Sequence, residues 1–94
     1  MQNTANKETG AVTMPEVSFS TFILSLASTA LVQLGEVPNP DSGQNEENLL
    51  LARHTIDVLD MLRTKSRDGL DSDEERLING ILYELHMKYV MKTS

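Results

Sequence analysis

Placed at about 100° per residue, the apolar positions of the chain gather onto helix faces in three stretches, and none alternates with the period of two that marks a strand. The first stretch runs from Ser18 to Leu34, with Phe19, Phe22, Ile23, Leu26, Ala27, Ala30 and Leu31 on a broad apolar sector. Pro15 and the capping candidate Ser18 open it, and Gly35 follows it, a residue suited to a left-handed helix end. The second runs from Asn45 to Arg67, with Glu46 and Glu47 where the helix dipole favours acids and Arg63, Lys65 and Arg67 where it favours cations. Leu49, Leu51, Ala52, Thr55, Ile56, Val58, Leu59 and Leu62 cover about half its circumference, opposite a solvated face of Arg53, Asp57, Asp60 and Thr64. The third runs from Asp71 to Met91. Asp71 and Glu74 have the spacing of a capping box, and Leu77, Ile78, Ile81, Leu82, Leu85 and Tyr89 form its core face.

The segment between the first two stretches, EVPNPDSGQ from Glu36 to Gln44, gathers prolines, Asn, Asp, Ser and Gly and predicts a turn-rich connection. Residues 1–13 hold almost nothing apolar and predict a disordered tail. The expectation is an all-α protein: a disordered N-terminal tail, then one domain over residues 14–92 built as a small bundle of three helices.

Three helices sharing one core need one buried face each, so apolar residues on a second face mark further contact. The second helix carries such a line in Leu50, His54, Asp57 and Met61, and the third in Asn79, Tyr83, His86 and Val90. Gly80, inside the third helix, costs about 1 kcal/mol relative to Ala and predicts close packing against that turn, by a bundle neighbour or by a partner helix. On the first helix Ser18, Thr21, Ser25, Ser28 and Thr29 form a narrow hydroxyl sector. It reads as tight helix packing with the hydroxyls bonded back to their own backbone, ahead of a polar-lined groove. Gln33 falls inside the apolar sector and is expected to be a satisfied amide at the helix end.

Charge changes the list of partners. Fourteen acidic against eight basic residues leave a formal charge of −6, which argues against a surface that tracks nucleic-acid phosphates or anionic membranes. The uncharged stretch from Val17 to Leu34 approaches the length of a membrane span, but its many Ser and Thr and its acidic flanks Glu16 and Glu36 point to a buried helix. The first twelve residues lack the basic start and apolar run of a secretory signal, and the chain has no cysteine. Both fit a reducing cytoplasm, and the second excludes disulfides and thiolate metal sites.

Enzymatic chemistry finds little to work with. No Cys is available as nucleophile, and neither histidine stands in the sequence context of an activated pair. Glu84 with His86 and Glu47 with His54 lack the Glu-x-x-His spacing of a di-metal bundle, and His54 with Asp57 supplies two ligands without a third. Gly35, Gly43 and Gly69 stand singly at turns, so no phosphate-cradling loop is present. No cofactor and no metal is expected.

The segments PEVSFSTFILSLASTALVQLGEVPNP, NEENLLLARHTIDVLDML and LYELHMKYV, in that order, resemble the small bacterial domain-of-unknown-function family numbered 1844, a likeness that covers Pro15 to Val90. Its most specific parts are FSTFILSLASTAL, from Phe19 to Leu31, and the LYELHMKYV end. The resemblance implies a short bacterial protein and brings no catalytic residue with it. Two expectations of different class follow. One is a non-catalytic interaction or adaptor module that forms a homo-oligomer through Leu50, His54, Met61, Tyr83, His86 and Val90, because a chain this small gains limited stability from its own core. The alternative is a small metal-dependent protein or enzyme in which His54 and His86 meet with a carboxylate such as Asp57 or Glu84.

Overall fold

A computed structural model describes residues 16–94. The expected tail, residues 1–13, lies outside them. The described chain is all-α, with helices α1 (Phe19–Gln33), α2 (Leu49–Lys65) and α3 (Ser72–Thr93) and a short 3₁₀ turn, Arg67–Gly69, between the last two. No strand occurs among the described residues.

Each helix begins on a side chain that satisfies its free backbone donors. At α1, Ser18 Oγ accepts from the Thr21 amide at 3.1 Å while Thr21 Oγ1 accepts from the Ser18 amide at 3.1 Å. At α3 the expected box forms: Asp71 Oδ1 accepts from the Glu74 amide at 2.8 Å, and Glu74 Oε1 accepts from the Asp71 amide at 3.0 Å. At the other end of α1, Gly35 turns left-handed with φ +77°, and the Gly35 and Glu36 amides donate to the carbonyls of Val32 and Leu31, both at 3.0 Å. A Cβ at Gly35 would lie 3.3 Å from that of Glu47. The glycine therefore serves both the turn and the close return of the chain.

The start of α2 differs from the expectation. Its cap is Asn48, which accepts from the Leu51 amide at 3.1 Å, so Asn45, Glu46 and Glu47 precede the helix. Their hydrogen bonds explain why. Asn45 Nδ2 donates to the Gly35 carbonyl at 2.8 Å, and Glu46 accepts from Ser42 Oγ at 2.6 Å and from Asn39 Nδ2 at 3.2 Å. Asx and Ser side chains compete with the helix for backbone and carboxylate partners, and here they fasten the connection onto the end of α1. The Asn48 amide completes the seam by donating to the Gln33 carbonyl at 2.7 Å.

The core is a narrow line from each helix: Ile23, Ala27, Ala30 and then Leu34; Ala52, Ile56 and Leu59; Ile78, Leu82 and Leu85. Phe19, Leu26, Leu31, Leu49, Leu62, Ile81 and Tyr89 pack partly against it. Phe22 and Leu51, expected on core faces, are half exposed, because three short helices cannot cover the full width of the apolar sectors. Thr55 is the one buried polar residue among those described, and its hydroxyl donates to Gln33 Oε1 at 2.7 Å. Gln33 is thus the satisfied amide the pattern predicts.

One packing expectation fails, and another keeps only one of its two alternatives. Ser25, Ser28 and Thr29 are exposed, so the hydroxyl sector is not a helix–helix contact, although Thr29 Oγ1 does bond back to the Ser25 carbonyl at 3.1 Å. Ser28 and Thr29 instead border a polar groove of about 560 Å³ against the α1–α2 connection. At Gly80 no bundle neighbour approaches: a Cβ there would meet nothing within 4 Å among the described residues, which leaves the partner helix.

Candidate functional site

The chain reverses at each connection, so the first half of α2 lies beside the second half of α3. The Arg53 guanidinium sits 5.7 Å over the Tyr89 ring centroid, and His86 Nε2 lies 2.9 Å from Asp60 Oδ2. Tyr89 first and Asp57 second raise the Arg53 pKa above its ordinary value. Asp57 pairs with Arg53 at 3.3 Å rather than with His54. Lys92 reaches Glu47 at 3.4 Å and Lys88 reaches Glu36 at 3.4 Å, which ties the far end of α3 to the α1–α2 connection. These exposed pairs direct the ends of the helices but add little stability each.

Between α2 and α3 runs an open groove of about 590 Å³. Its floor and far wall come from α3: Leu82, Tyr83, Met87, Val90 and Met91, with His86 beside them. Its near rim is polar. Arg63 of α2 donates to Asp60 Oδ1 at 3.3 Å and to Asn79 Oδ1 at 3.4 Å, and Asp60 in turn meets His86. A strip of apolar side chains is thus edged by a hydrogen-bonded polar rim. The strip is uncovered: Tyr83 is 68% exposed, Met87 48%, Val90 60% and Met91 72%.

The six residues expected to form one surface therefore fall into two groups. Tyr83, His86 and Val90 line the groove; Leu50, His54 and Met61 do not. Leu50, at 82% exposure, His54 and Met61 stand on the side of α2 opposite its buried residues Ala52, Ile56 and Leu59. Met87 and Met91 belong to the groove but lie on neither the core face nor the second line of α3 that the sequence pattern marks. Their signal was present as the i+4 and i+8 continuation of Tyr83.

Among the described residues, no three His, Asp or Glu side chains gather so as to hold a metal. His86 is engaged by Asp60, and neither Asp57 nor Glu84 joins it. On the other flank of α3 a second apolar groove, about 470 Å³, opens between Leu24, Ala27 and Leu31 of α1 and Leu77, Gly80 and Ile81 of α3. No described helix is long and apolar enough to cross a membrane.

The family model for the Domain of unknown function (DUF1844) matches residues 16–91, which takes in α1, α2, both connections and α3 as far as Met91. The chain belongs to this family. No curated protein and no solved structure matches it. The match over DUF1844 spans both grooves and the capped starts of all three helices, so the surface just described lies wholly within the family domain.

Proposed function

We propose that this DUF1844 chain is a non-catalytic interaction or adaptor module that associates with copies of itself through the outer side of α3. One observation carries the reading: Tyr83, Met87, Val90 and Met91 form an apolar strip that the three-helix core leaves uncovered. Removing such a strip from water contributes about 25 cal/mol per Å², a large gain for a domain whose own core is three narrow lines of side chains. Association then also stabilises the fold, since a partner that binds only the folded state draws the equilibrium toward it.

Light scattering behind a sizing column, run from micromolar to millimolar protein, tests the reading. The average mass rises from one copy toward two or more as concentration increases. A mass of one copy throughout refutes self-association and redirects the strip to a different protein.

A further inference from the structure

A glycine inside a helix costs about 1 kcal/mol relative to alanine, and the usual compensation is a neighbour too close to admit a Cβ. Among the described residues Gly80 has no such neighbour. Nor does its backbone require glycine: among the described residues the positive-φ glycines are Gly35 and Gly43. Nothing described in the three-helix bundle accounts for the glycine.

Gly80 also begins a row. Gly80, Tyr83, Met87 and Val90 follow one another at steps of 3, 4 and 3, the alternating spacing of a coiled-coil seam. All four are exposed, and the row stands on the ridge between the two apolar grooves that flank α3. The row complements its own reverse. In an antiparallel pair the layers join position 80 to 90 and 83 to 87, so the smallest residue meets a β-branched one and an aromatic ring meets a thioether. In a parallel pair Gly80 would face Gly80 across a void.

Resting on the self-association reading, we propose that α3 packs antiparallel against α3 of a second copy about a two-fold axis, with Val90 of each entering the space over Gly80 of the other and Tyr83 facing Met87. The area fits a weak, concentration-dependent dimer. The exposed parts of Tyr83, Met87, Val90 and Met91 amount to on the order of 500 Å² per copy, so their complete burial removes about 1,000 Å² for the pair, the size of a weak interface. The charged residues flanking the row already have partners within the chain: Arg76 lies 3.7 Å from Asp73, Glu84 lies 4.0 Å from Lys88, and His86 meets Asp60. Closing the seam therefore strands no bare charge. The contact is isologous, so it closes at two copies.

Two experiments test this geometry apart from association itself. Gly80→Gln places a helix-favouring side chain into space that is empty in the single copy, so the dilute protein keeps or raises its thermal midpoint while the dimer dissociation constant rises at least about tenfold. Because the chain has no cysteine, introduced thiols report only on the contact. Tyr83→Cys and Met87→Cys, mixed and oxidised, give a mixed disulfide dimer, while each alone does not cross-link. Gly80→Gln associating as tightly as the unmodified chain overturns the proposal, as do 83–83 or 87–87 disulfides without the mixed product. An unmodified chain that stays a single copy at all concentrations removes the self-association on which the proposal rests, a result distinct from the other two.

Discussion

On α3, Ile78, Leu82 and Leu85 are buried against α1 and α2, while Tyr83, Met87 and Val90, drawn from the same turns, face solvent. Both sets repeat at helical spacing and both are apolar, so hydrophobicity alone does not separate them. Packing does. The inner set clusters with Ala30 and Ala52, small residues that let the helices come close, whereas the outer set has grooves on both sides and a glycine in its own row. The inner face is a core already closed. The outer face has the composition of a core whose other half is missing.

The comparison breaks most sharply at the inner face. Ile78→Ala removes fully buried methyl groups and leaves a cavity, costing about 2–5 kcal/mol of stability at every protein concentration, as read from urea denaturation. Val90→Glu acts on the outer face alone. It places a desolvated charge in the contact, weakening association by on the order of 2 kcal/mol or more, and lowers the thermal midpoint only at concentrations where the unmodified chain associates. A midpoint that falls equally in dilute solution would put Val90 in the core of the single copy.

Smaller effects sharpen the picture further. Asp71→Ala removes the cap on α3 that both faces depend on, and thermal unfolding should show a loss of about 1 kcal/mol whether or not the protein is associated. Met61→Glu sits outside the groove on α2, so stability changes by less than about 0.5 kcal/mol and the mass measured by light scattering does not change. Dissociation by Met61→Glu would move the contact from α3 to α2.

Sequence periodicity was enough for the three helices because their ends are signalled locally: Ser18, Gly35, and Asp71 with Glu74 each act through residues within a few positions. The start of α2 was displaced because Asn45 and Glu46 bond to Gly35, Asn39 and Ser42, partners that no helix-end rule considers. For the candidate surface, the side stripes on α2 and α3 were legible as surplus apolar faces, and Tyr83, His86 and Val90 do share a groove. That Leu50, His54 and Met61 lie elsewhere depends on how α2 is rotated against α3, a tertiary quantity that spacing along one helix does not contain. Gly80 was marked by its cost, but only the empty space around it shows that the close approach is not made by the bundle. Asp60 shows the reverse: expected on a solvated face, it anchors both Arg63 and His86 at the rim of the groove.

The central claim, that the outer side of α3 is the surface at which copies meet while the outer side of α2 stays in water, is tested most directly by a dilution series followed in NMR spectra. The account predicts that the side-chain signals of Tyr83, Met87, Val90 and Met91 shift together as protein is diluted from millimolar to micromolar, while those of Leu50, His54 and Met61 hold still. Signals that do not move at any of these residues, or that move at Met61 and not at Met87, would contradict it.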